Sequence, residues 1–469
     1  MNFPMTTPRW WPAARMAALA GGVLAVLLVM TAYGGTASPG PLFVLGVGAL
    51  AALLVVFGLA VWWLYFSPLP AAPARATLSA DALQGLAILV VLAGLLFCTG
   101  AFWDEIWHRL YGVVLVLNDF WWRPHILMYG SMALMALFAV GGLLVVLRGY
   151  GGLREKFRAA PSVGLLGLTS AYLALAAPSD ELWHRLYGLD ITAWSLPHLM
   201  FGLGTALVML AAASLQASLL PKTSWRGPGG LRLGEVLILI LYMVAALFIM
   251  QVVITEWEVF RPVTGFGPER DAFTQAFWDR PEWMYPAALI AIAVFLGQLA
   301  VCTLRRAGVA TLLALLVLGF RAGMLSFFDL SGSPMRQPIV SQLLILAPAV
   351  AIDAWYALRL RQAESAATLI GGSLAGAAAF VLISLPLLPQ FLSYPRVNAE
   401  TVPAMVGWGL LLALWSGWLG ARLGGWVGGR EGLAGPAAVN PRVAWLGAGA
   451  LGAFVAFALF FILTAAPPA

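Results

Sequence analysis

Thirteen apolar runs divide the chain, at residues 16–33, 41–66, 82–103, 125–147, 162–178, 198–217, 233–255, 284–303, 309–327, 338–357, 367–388, 403–421 and 444–464. A helix rises about 1.5 Å per residue, so about 20 apolar residues cross the hydrocarbon core of a bilayer. These runs are of that order, and polar residues collect in the short connections between them. The pattern predicts an all-α fold: a polytopic transmembrane helical bundle of about thirteen helices, forming a single membrane domain over residues 1–469. The first run follows Arg9 and Arg15 and precedes the small residues Gly34, Gly35, Thr36, Ala37 and Ser38. A cleaved leader has that arrangement and would leave twelve crossings, but the length of the run fits a retained anchor better. The longest connection, 256–283, is aromatic and charged and is expected to cap one surface. The connection 422–442 is rich in Gly and Pro and reads as a linker.

Composition sharpens this picture. The chain is 62% hydrophobic and 10% charged, too few polar residues to cover a water-facing surface. Its surroundings are therefore the lipid bilayer. The net charge of +6 does not point to nucleic acid, because in a membrane protein Lys and Arg report topology. Alternate connections hold most of the basic residues: Arg75; Arg148, Arg154, Lys156 and Arg158; Lys222, Arg226 and Arg232; Arg305 and Arg306; Arg359 and Arg361; Arg422, Arg430 and Arg442. The positive-inside rule places these in the cytoplasm, with the N-terminus cytoplasmic and the C-terminus extracytoplasmic in the cell membrane. Cys98 and Cys302 fall at opposite ends of two spans and form no metal or redox motif, so they read as buried small hydrophobes.

One internal repeat carries the chemistry. Residues 104–130 read DEIWHRLYGVVLVLNDFWWRPHILMYG, and residues 180–202 read DELWHRLYGLDITAWSLPHLMFG. Each copy starts at the end of one span and finishes at the start of the next. The chain thus holds two parallel helical-hairpin repeats, at 82–147 and 162–217. All four histidines of the chain lie in the repeat at matching places: His108 and His125, His184 and His198. Asp104 and His108, like Asp180 and His184, are four apart and share one helix face. Pro124 and Pro197 precede the second histidines, where proline opens a helix without losing a needed donor. Each hairpin can aim one carboxylate and two imidazoles at a common point, a ligand set that suits a mononuclear transition metal. Two other readings stay open: a hydrogen-bonded network that shapes the hairpins, with Arg109 and Arg185 paired to the acids, or a proton or ion path.

The segment Asp180-x-x-Trp183-His184, followed by Asp190, Thr192 and Pro197-His198, resembles the metal motif of the C subunit of particulate methane and ammonia monooxygenases. The resemblance covers some 20 residues, twice. It implies Asp180, His184 and His198 as copper ligands, and Asp104, His108 and His125 in the first copy. It further implies a copper-dependent membrane oxidoreductase, or a subunit of one, working with partner membrane subunits or as a homo-oligomer. The family's soluble copper domain and a further Asn/His pair have no counterpart in this chain. Glu105-x-x-His108 and Glu181-x-x-His184 also match the Glu-x-x-His pattern of di-iron bundles, which makes iron a rival, and four histidines admit haem as another. A transporter or copper-handling protein without redox turnover is the alternative activity. Met128 and Met200 follow the second histidines and read as core.

Weaker signals complete the reading. Arg280-Pro281-Glu282 echoes Arg123-Pro124-His125, which suggests a third, decayed copy with Glu282 in the histidine place. Glu256 and Glu258 stand near it. Arg321 and Asp353 lie inside adjacent spans and are expected to pair with each other.

Overall fold

The computed structural model describes residues 58–65, 79–111, 123–148, 151–187, 194–221, 224–254, 280–329, 339–392, 394–428 and 441–465. Within these, the principal helices are α1 (Ala80–Tyr111), α2 (Arg123–Leu147), α3 (Pro161–Ala174), α4 (Ala176–Tyr187), α5 (Leu196–Ser218), α6 (Leu233–Val253), α7 (Met284–Leu304), α8 (Val309–Asp329), α9 (Val340–Leu344), α10 (Leu346–Leu358), α11 (Ala366–Ala379), α12 (Val402–Gly428) and α13 (Pro441–Leu463). No strand forms among the described residues beyond an isolated bridge between Arg226 and Arg306. Ten helical stretches there are long and apolar enough to cross a membrane, from Ala80–Trp107 to Val402–Gly428, and each overlaps one of the predicted runs. The chain is a multi-pass membrane protein with an all-helical fold. The run 16–33, most of 41–66 and the connection 256–279 lie outside the described residues, as do Glu256 and Glu258. Most of the expected linker, 429–440, lies outside them too.

Among the described residues three spans depart from regular helix, and proline accounts for each. A proline has no N–H to give the carbonyl four residues before it. Pro178 thus leaves the Ala174 carbonyl without its helical donor, and the third span breaks there into α3 and α4. Pro348 does the same to Leu344 at the break between α9 and α10. Pro386 does it to Leu382, inside a π-helical turn over Phe380–Ser384. The Leu344 carbonyl is then filled from another span: Ser384 Oγ donates to it at 2.7 Å. Ser384→Ala should cost about 1–3 kcal/mol, the penalty of a buried polar group left unsatisfied. Thermal unfolding in detergent checks this, and an unchanged midpoint would show that the bond is dispensable.

The bundle packs in two halves. α1, α2, α3 and α5 lie side by side with α6, and α7, α10, α11 and α12 form the second group, with α8 reaching both. Among the described helices, α7 and α12 pack along the greatest length. There Gly420, Gly424 and Gly428 lie against the backbone of Phe295, Leu299 and Thr303, and a Cβ on Gly424 would stand 2.6 Å from the Leu299 carbonyl oxygen. Without lipid-phase water to drive association, such small-residue faces let backbones approach and strengthen dispersion attraction. The opposite side of α12 exposes Trp408, Leu411 and Trp418, as a lipid-facing surface does.

One expected contact is not formed. Asp353 does not pair with Arg321; it caps α8, accepting from the Ala310 N–H at 3.3 Å and from the Thr311 N–H and hydroxyl at 2.7 Å each. A carboxylate there satisfies first-turn donors and meets the positive end of the helix dipole. Arg321 lies ten residues beyond Thr311, about 15 Å further along the axis, and finds a different partner.

Candidate functional site

The described parts of the two repeat segments are helical. In both copies the first Asp and His stand near the C-terminal end of a helix, in α1 and α4. The second histidine stands in the opening turn of the next helix, immediately after Pro124 in α2 and Pro197 in α5. Apolar spans carry both arms of each hairpin, and the motif residues stand at the ends of those spans.

In the first hairpin two of the candidate residues meet. His125 Nε2 and Asp104 Oδ1 are 2.9 Å apart, and His125 is buried. Two ligands on one first-row metal, each at about 2.1 Å and roughly at right angles, are about 3 Å apart. The observed separation therefore fits a pair of adjacent metal ligands as well as it fits a direct hydrogen bond. Among the described residues, no group of three or more His, Cys, Asp and Glu gathers at metal-holding distance. The side chains of His108, Arg109, Glu181, His184 and Arg185, and Asp190 entirely, lie outside the described residues.

Glu105, the other acid of the motif, turns elsewhere. Successive helical residues point about 100° apart, so Asp104 and Glu105 face different neighbours. Arg321 from α8 holds Glu105 with two bonds, Nη1 to Oε2 at 2.7 Å and Nη2 to Oε1 at 2.9 Å. Gln251 from α6 adds a longer one at 3.4 Å. Arg321 is 1% exposed and also lies over the Phe102 ring, 4.3 Å from its centre. A bidentate guanidinium–carboxylate pair uses both oxygens of the acid, which leaves the di-iron reading without its first glutamate. The motif's spacing put Glu105 near the site but gave no sign of Arg321 or Gln251 as its partners. The signal was a lone arginine in an apolar helix, which has to face a charge.

Around this pair the packing is aromatic. Trp103 and Trp107 are buried edge to face, with ring centres 5.0 Å apart. Arg123, which opens α2, donates to the Phe461 carbonyl at 2.9 Å and to Thr464 Oγ1 at 2.7 Å, tying the end of α13 to the hairpin.

The second hairpin sets its histidine differently. His198 Nδ1 and Ser195 Oγ share a hydrogen bond at 2.9 Å, with Ser195 at the N-cap of α5. A bond at Nδ1 fixes the orientation of the ring, as outer-shell partners do for metal-bound imidazoles. Asp180 is half-buried on α4. Trp194 donates to the Val253 carbonyl at 3.2 Å, and the Arg280 guanidinium lies 3.6 Å from the centre of its ring. At the Arg280-Pro281-Glu282 echo of the motif, Glu282 stands just before α7 but turns to Arg396, whose Nε donates to it at 2.6 Å. It is a surface ion pair there.

No protein-family model, curated protein or solved structure matches this chain.

Proposed function

We propose that this membrane protein holds a copper ion in the first hairpin through Asp104, His108 and His125, and a second in the equivalent hairpin through Asp180, His184 and His198. The observation that carries the reading is the 2.9 Å approach of His125 Nε2 to Asp104 Oδ1, from two different helices, at a buried position. Neutral imidazole and carboxylate are first-row metal ligands, and an ionisable pair at membrane depth is costly without a function. Copper is favoured over iron because Arg321 occupies Glu105.

The distribution of basic connections along the sequence supports an extracytoplasmic position for both hairpin ends, where copper is accessible. When bound, copper supplies one-electron redox chemistry, and the activity proposed is that of an oxidoreductase or a subunit of one, acting on a lipophilic substrate. The chain's part is to hold Asp104 and His125 at ligand spacing, to fix His198 through Ser195, and to keep the surroundings apolar with Trp103 and Trp107.

Elemental analysis of the purified protein after loading with Cu(I) and removal of loosely held metal tests this. Two copper atoms per chain are expected. His125→Gln should remove one of them, and the variant with all four histidines changed to Gln should remove both while remaining monodisperse. A wild-type protein that folds and retains no copper would overturn the proposal.

A further inference from the structure

We infer that Arg321 is a positioning residue for the first metal site, acting through Glu105 to fix the rotation of α1. The inference rests on the copper reading above and adds to it the element that aims the carboxylate. Asp104 and Glu105 are consecutive on α1, so whatever fixes the direction of one fixes the direction of the other. Glu105 is gripped by both guanidinium nitrogens of Arg321 from α8 and reached by Gln251 from α6. On the other flank, Asp104 meets His125 from α2. The end of α1 is therefore held between three helices, with the charged grip on one side and the ligand on the other.

The magnitudes favour this role. A side-chain tip lies about 5–6 Å from its helix axis, so a rotation of about 20° moves the Asp104 carboxylate by about 2 Å. Metal sites hold their ligands to within about 0.2 Å. A single hydrogen bond leaves a helix free to roll, whereas the planar fork of an arginine on a carboxylate defines both distance and plane. The ion pair is not needed for stability as such, because a buried pair can often be replaced by apolar residues of similar volume. Its bidentate form and its place beside the ligand are what orientation requires.

The decisive comparison is the double variant Arg321→Met/Glu105→Met, which leaves no unpaired charge, with Arg321→Lys as the conservative partner. The first readout is free of metal. The chain has four histidines, so protein with ¹⁵N-labelled histidine gives at most four imidazole spin systems, and His125→Gln identifies one of them. The His125 Nε2 signal should move away from its wild-type position in the double variant and return part of the way in Arg321→Lys. With cupric ion as the probe, the double variant should bind about 10–100-fold more weakly at the first site, the range seen when outer-shell partners are removed. Its electron paramagnetic resonance spectrum should change as well. A double variant that folds and keeps both the His125 signal and the copper spectrum of the wild type overturns the positioning role. If wild-type protein takes up no copper, the proposed function fails by itself, and the His125 signal still decides whether Arg321 orients Asp104.

Discussion

Gly424→Val is expected to disrupt the bundle, while the same change at the next residue, Gly425→Val, leaves it intact. At Gly424 a Cβ would meet the Leu299 carbonyl oxygen at 2.6 Å and the Cys302 Cβ at 3.0 Å. The nearest atom belongs to backbone inside α7, which cannot swing aside, so α12 must move away along its length. That separation would open the close backbone packing of α7 on α12, and overpacking of this kind costs on the order of 3 kcal/mol. At Gly425 nothing lies within 4 Å, and the position is exposed. Thermal unfolding in detergent should give a lower midpoint, or no folded protein, for Gly424→Val and a near-native midpoint for Gly425→Val. Equal midpoints would mean that the α7–α12 approach is not as described.

The second large effect concerns the buried charges. Arg321→Ala should destabilise the protein by about 3–5 kcal/mol, because it strands the Glu105 carboxylate in a low-dielectric interior. The double change of both residues to Met should cost far less than either single removal, since no charge is left without a partner. A double-variant cycle read by unfolding in detergent measures this coupling. If Arg321→Ala and the double variant prove equally stable, the pair is solvated and the desolvation argument fails.

Much of this fold was legible along the chain because a bilayer allows so few solutions. An apolar run that crosses it has to be a helix, since no water is present to satisfy the backbone. That is why the run 284–303 reappears as Met284–Leu304, and 309–327 as Val309–Phe327. The helix that carries Asp104 and His108 was legible for a similar reason, and a spacing of four puts two helical residues on one face whatever surrounds them. The breaks at Leu175 and Ile345 were foreshadowed by Pro178 and Pro348, but the remedy at Leu344 came from Ser384, on another span.

Partners chosen in three dimensions were not legible. Arg321 and Asp353 looked like a pair because their spans are adjacent in sequence. Depth in the membrane separates them: Asp353 meets the first turn of α8, and Arg321 stands well along it. Glu105 lies 216 residues from Arg321, and no local pattern links the two. Likewise, the echo of the motif at Arg280-Pro281-Glu282 marked the start of a helix, while the carboxylate itself went to Arg396. Local spacing sets the direction in which a side chain leaves its helix; which group it meets depends on the packing of the whole bundle.

On the proposed function, the end of the first hairpin is a metal centre and not merely a hydrogen-bonded corner. Anomalous scattering at the copper edge, from crystals of copper-loaded protein, tests it directly. A peak is expected about 2.0–2.2 Å from both Asp104 and His125, with His108 as a third ligand. A map without that peak, in which His125 and Asp104 still touch each other directly, would contradict it.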